Sequence, residues 1–240
     1  MNRKWMAALI AATATTALAS IASAQESTKD EASPSDANRT RELPAANRAV
    51  ELTIGTGYAQ GFGSVGSGQP TLQDQGAAGG ALQIGVGVRV IPQLTLGVYG
   101  SGAMFGRADT VESSANIYSA TAGIQADWHF LPAGHVWDPW VSLGTGWRGY
   151  WVHTDPQGTT SLQGMELAKF QLGVDYRIAP TVSISPVIGA DLSTFFTEST
   201  PQSNGFSNLS SPEINTFIFG GVMGRFDIPT QATDRSVASR

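Results

Sequence analysis

Cysteine is absent from all 240 residues. This excludes disulfides, a thiol nucleophile and cysteine-held metals. Charge is also sparse: Asp, Glu, Lys and Arg make up 14% of the chain, against roughly 25% in an ordinary soluble domain. The net charge of −5 leaves no basic surface for nucleic acid. Beyond the N-terminus no apolar run is long enough to read as a transmembrane helix. In place of these the chain has 28 glycines and an apolar content of 41%, enough for one sizeable domain.

Met1 to Lys4 is a short basic start. An apolar stretch rich in Ala and Thr follows from Trp5, and Ala22-Ser23-Ala24 matches the small-residue cleavage pattern. Residues 1–24 therefore read as a secretory signal peptide cut before Gln25. Residues 25–47 are polar, contain Pro34 and Pro44, and have no apolar period, so a disordered lead-in is expected. Residues 48–228 form the folded domain, and 229–240 a short C-terminal tail.

Within 48–228 the dominant signal is alternation. Eight segments of roughly ten or more residues carry apolar side chains at every second position. They lie near 50–62, 81–91, 94–105, 116–130, 139–152, 165–178, 182–197 and 214–228. The connections 63–80, 106–115, 153–164 and 198–213 are long and polar, whereas 92–93, 131–138 and 179–181 are shorter. Long loops at one end and short turns at the other predict an all-β, antiparallel up-and-down barrel of eight strands.

The two faces of these strands differ sharply. One carries Ile54, Leu82, Ile84, Val86, Val88, Ile124, Phe170 and Leu172. The other carries Thr53, Gly55, Gln83, Gly85, Arg89, Gln125, Lys169 and Gln171. A soluble barrel would bury the first face and wet the second. A membrane barrel would turn the first face to lipid and the second to its lumen. A water-facing surface normally carries many Lys and Glu, while this polar face is mostly Gly, Ser, Thr and Gln. Such residues suit the cramped interior of eight strands. Aromatics fall toward the segment ends: Tyr58, Phe62, Phe105, Tyr118, Tyr150, Trp151, Phe195, Phe196, Phe217 and Phe219 at one, and Trp128, Phe130, Trp137, Trp140, Tyr176 and Phe226 at the other. Two aromatic bands around an aliphatic belt match two lipid–water interfaces. The girdle is assigned to Tyr58, Tyr118, Trp128, Phe130, Trp137, Trp151, Tyr176 and Phe226.

Signal peptide, eight alternating strands, short turns and four long loops together resemble the small outer-membrane β-barrels, such as the membrane domain of outer-membrane protein A and related surface-antigen barrels. The resemblance implies a transmembrane barrel in the bacterial outer membrane, with periplasmic turns and extracellular loops. It implies outer-membrane lipids as partners, with the barrel assembly machinery and periplasmic chaperones met in transit. The segment 216–228 looks like the family's C-terminal assembly signal, although the family often ends on an aromatic and this chain runs on from Pro229. The long loops are suited to a surface ligand.

Charges on the inward face are Glu51, Arg89, Asp127, Arg148, Lys169, Asp175, Arg177, Asp191, Arg225 and Asp227. Isolated charges in a narrow interior are very unfavourable, so pairing or hydration is expected. By depth, Arg148, Lys169 and Asp191 form an outer group and the rest a group near the short turns. Glu51 and Arg225 are placed to pair across the seam between first and last strands. The expected function is a non-catalytic integral outer-membrane protein that presents surface loops, its lumen plugged by small and paired charged residues. The alternative is a narrow passive pore. A lipid-modifying enzyme and a soluble lipocalin-like carrier are weaker readings.

Other motifs add little. Gly61-Phe-Gly63-Ser-Val-Gly66 fits the dinucleotide glycine spacing, but Pro70 follows where a helix is needed. His129, His135 and His153 are scattered, without metal-site spacing, and no cofactor is expected. His153 with Asp155 and Ser161 is the least unfavourable catalytic set, without the His-x-Ser pattern of the lipid-hydrolysing barrels. Strands five, seven and eight fit the alternation imperfectly: Trp140, Tyr150, Phe195, Phe217, Phe219 and Met223 fall on the nominally inward side. A bulge that flips the phase or a pocket near the outer rim would account for them.

Overall fold

Alternating apolar and polar residues build strands because successive side chains point to opposite faces. The computed structural model describes residues 49–108, 114–131, 135–202 and 205–229. The signal peptide, the whole lead-in and the tail beyond Pro229 lie outside the described residues. The elements are β1 (Ala49–Phe62), α1 (Leu72–Gln75), β2 (Gly76–Ile91), β3 (Leu94–Arg107), β4 (Asn116–His129), β5 (Trp137–Thr154), β6 (Gly158–Ala179), β7 (Val182–Ser199), β8 (Ser207–Asn208) and β9 (Ile214–Pro229). β8 is a two-residue strand against the loop end of β7. The other eight strands form the wall.

Each long strand pairs antiparallel with its sequence neighbour. β1 pairs with β9 from Ala49↔Pro229 to Phe62↔Thr216, closing the ring. Closure satisfies the backbone groups that an open sheet would leave at its edges. Among the described residues no helix is long and apolar enough to cross a membrane.

The short-turn end matches expectation: β2 and β3 are joined by residues 92–93, β6 and β7 by 180–181. Two of the long loops are more ordered than their polarity predicted. Residues 153–164 are not a loop. β5 and β6 run on as a hairpin to Thr154↔Gly158, with only residues 155–157 at its tip. Alternation is weak there because a protruding hairpin has no lipid or lumen to sort its faces. In the first long loop, residues 76–80 already belong to β2. Ahead of them Thr71 caps α1: its side chain accepts from the Asp74 N–H, and Asp74 accepts from the Thr71 N–H.

The faces sort as one belt and one lumen. Ile84, Val86, Ile124, Leu172 and Ile188 point away from the protein, with Ile124 63% exposed. Gln83, Arg89, Thr121, Lys169 and Gln171 are buried inside. A closed wall that is apolar outside and polar inside has the construction of a membrane-spanning barrel rather than a soluble one.

A phase flip lies in β6, and a second bulge, between Ala77 and Gly80, shifts the loop end of β2. Between Glu166 and Lys169 β6 carries one residue more than β5, and Leu167 and Ala168 both face outward. Below the bulge odd-numbered residues of β6 face in; at Glu166 and Leu162 even-numbered ones do. Strands β5 and β9 keep their parity, so Tyr150, Phe217, Phe219 and Met223 point inward as large apolar side chains.

Candidate functional site

The candidate site is the lumen, since its contents decide whether the barrel conducts. At the short-turn end Arg225 of β9 is the hub. Its guanidinium pairs with Glu51 across the β1–β9 seam, lies 3.0 Å from Asp175 and 3.7 Å from Asp127. Arg89 donates to Glu51 at 2.7 Å and to Asp227 at 3.1 Å, and Arg177 donates to Asp227 at 3.2 Å. Thr95 adds a hydroxyl donor to Glu51 at 3.3 Å. All seven sequence-assigned charges of this group are therefore in one cluster, each nearly inaccessible. Trp140 packs beside it with Val187, Phe219 and Met223, the Arg225 guanidinium 4.8 Å from its ring, and donates its indole N–H to Ser185 at 2.9 Å. Gly173 makes room for that ring, since a Cβ there would fall 2.5 Å from it.

Gln83 of β2 and Gln171 of β6 exchange reciprocal amide hydrogen bonds across the middle of the lumen, at 3.2 and 2.8 Å. Gln125 links the levels, accepting from Lys169 at 3.0 Å and donating to Asp127 at 3.1 Å. In the outer half Arg148 donates to Asp191 at 2.7 Å and to Glu166 at 3.2 Å. The Lys169 ammonium lies 3.7 Å over the Tyr99 ring. Glu166 was invisible to a period-two reading because the β6 bulge separates it from Lys169. Two outward residues between inward charges is the signal that marks it.

Above this layer the filling turns apolar. Val65, Leu72, Phe105, Ile117, Tyr150, Leu162, Phe195 and Phe217 pack into one cluster. Phe217 joins the two layers, with the Arg148 guanidinium 4.0 Å over its ring. This corrects the aromatic bands. Phe105, Tyr150, Phe195, Phe217 and Phe219 do not sit at a lipid interface; they are buried in the lumen, as is Trp140. A cavity of about 40 Å³ lies in the outer half, room for isolated water. The girdle residues themselves point outward: Tyr58, Trp128, Phe130, Trp137 and Tyr176 are exposed, and Tyr118, Trp151 and Phe226 half-buried. Trp137 and Tyr176 stack at 4.7 Å on neighbouring strands at the short-turn end.

An aliphatic belt, aromatic ends and a polar interior on a closed eight-strand wall leave one reading of the fold. The chain is a closed, membrane-spanning β-barrel of eight strands. No protein-family model matches the sequence, and neither does any curated protein. Solved structures similar to it include Neisserial surface protein A, at 14% identity and TM-score 0.48, covering 75% of this chain and 97% of that one. Outer membrane protein W of E. coli is similar at 14% identity and TM-score 0.40, covering 76% and 98%. So is Ail, the attachment invasion locus protein of Yersinia pestis, at 14% identity and TM-score 0.39, covering 75% and 99%.

The catalytic set weighed from sequence does not assemble in the barrel. His153 Nε2 lies 3.3 Å from Asp155 and Nδ1 lies 2.8 Å from the Thr159 hydroxyl, so both ring nitrogens are occupied. Ser161 Oγ is buried and makes no hydrogen bond to the ring. His135 is exposed. His129 turns inward at the short-turn rim, its Nδ1 2.7 Å from Asp138 Oδ2. The glycine motif begins inside β1 and has no helix directly after it.

Proposed function

We propose that the protein is a non-catalytic barrel of the outer membrane that presents its long-loop end at the cell surface while its lumen stays plugged. The observation that carries this is the Arg225 cluster with the aromatic stop above it. Two independent fillings, one ionic and one apolar, lie in series along the same bore. Eight strands leave an interior just wide enough for side chains, and here large side chains occupy it at both ends. Removing water from charges is costly unless they are paired. A cluster in which every arginine is paired with carboxylates is therefore a structural filling and a poor ion path.

The surface presented is built from the α1 loop, the β5–β6 hairpin and the segment carrying β8. Val65, Gln69, Gln75, Val152, Thr160, Leu162, Glu198 and Leu209 line a cavity of about 260 Å³ at this end, which supports a surface contact as the working role. Passage through the assembly machinery, with periplasmic chaperones, rests on the strand-like alternation of β9. Planar-bilayer recording of refolded protein tests the plug. The expected trace is silent at moderate voltage. Frequent, sustained openings would replace the plug with the narrow-pore reading.

A further inference from the structure

We propose that His129, Asp138 and Asp175 form a binding site for a divalent transition-metal ion at the short-turn rim of the lumen. The three lie on three adjacent strands, β4, β5 and β6. One ligand atom from each falls within 4.8 Å of the others. Two carboxylate oxygens and an imidazole nitrogen are a donor set that suits zinc and its neighbours rather than calcium or magnesium.

Three further observations point to a cation. First, Asp138 and Asp175 are direct partners in the β5–β6 ladder. Like charges placed opposite one another on one face destabilise a sheet unless something positive lies between them. Second, His129 Nε2 and Asp175 Oδ1 are buried without a hydrogen-bond partner, in side chains 2% and 1% exposed. Buried polar atoms left in that state call for an occupant. Third, the charges of this level do not balance. Glu51, Asp127, Asp138, Asp175 and Asp227 share this level with Arg89, Arg177 and Arg225, a formal excess of two negative charges with His129 neutral; Lys169 of the outer level reaches Asp127 only through Gln125. One divalent ion cancels that excess, whereas a proton on His129 cancels half of it. The outer level, with Arg148 and Lys169 against Glu166 and Asp191, needs no such ion.

The surroundings suit the role. Arg225 Nε, 3.0 Å from Asp175 Oδ2, fixes that carboxylate from behind, and the Leu131 N–H donates to Asp138 Oδ1 at 3.4 Å. Such outer contacts orient metal ligands. Asp138, with its side chain 15% exposed, is the open side from which an ion enters. Bound there, the ion ties the ends of three strands where β4 and β5 part into their connecting turn.

The test uses untagged, refolded full-length barrel, stripped with EDTA, incubated with Zn²⁺ and desalted. We expect about one zinc retained per barrel by elemental analysis and a higher unfolding temperature with zinc than without. Asp138→Asn and His129→Gln should each weaken retention at least about tenfold, the scale of losing part of a metal's ligand environment. His153→Ala, at the opposite end, should retain zinc fully. A gel-mobility shift on heating verifies that each variant is folded. No zinc on the desalted wild-type barrel overturns the proposal. So does equal retention by folded His129→Gln, which would mean adventitious binding only.

Discussion

Toward the long loops the interior is stopped by Phe105, Tyr150, Phe195 and Phe217, resting on a balanced set of Arg148, Lys169, Glu166 and Asp191. Toward the short turns it is stopped by three arginines and a surplus of carboxylates around Arg225. In the proposed plug the same wall thus closes its two ends by different physics. Apolar packing is non-directional and tolerates shape changes at a modest cost per group. A buried ionic cluster tolerates almost none, because removing one partner leaves the others charged and unpaired. The contrast predicts that the ionic end controls folding stability and that either end alone suffices to block the bore.

The strongest way to break this comparison is Arg225→Met. It leaves Glu51, Asp127 and Asp175 without their shared cation, at a cost of roughly 3–5 kcal/mol. Urea titration of the barrel in lipid should register that loss, and a companion Glu51→Gln should recover part of it. A loss under about 1 kcal/mol would mean that water already solvates the cluster. Next in size is Phe217→Ala, which opens a cavity in the outer stop for about 3 kcal/mol. Bilayer recording of this variant should remain silent, because the Arg225 level still closes the bore. Sustained current would place the whole seal at the outer end and dissolve the comparison.

Most of this interior could be read from alternation alone. Parity places ten of the inward charges, and the structure brings them into two levels, with Glu51 and Arg225 joined across the seam. Parity works because the side-chain period of a strand is two and lipid tolerates few exceptions. It fails where the count slips. The single extra residue at Leu167–Ala168 hid Glu166, the partner that completes the Arg148 pair. It also fails outside the membrane: the β5–β6 hairpin beyond Tyr150 has polar residues on both faces, so it reads as loop. Aromatics were the third source of error. Phe195 and Phe217 near a strand end look like girdle residues until their inward parity is given priority. The His129, Asp138 and Asp175 grouping had no sequence trace at all, because strand pairing, not spacing along the chain, brings the three together.

Because native cysteine is absent, single-cysteine labelling examines the orientation of the wall without background. Ile84→Cys, Ile124→Cys and Ile188→Cys, each carrying a small fluorophore in the refolded barrel, should all be quenched by lipids brominated on their acyl chains and spared by iodide in the water. Quenching by iodide with no effect of the brominated lipids would contradict the belt, and with it the assignment of the polar face to a sealed lumen.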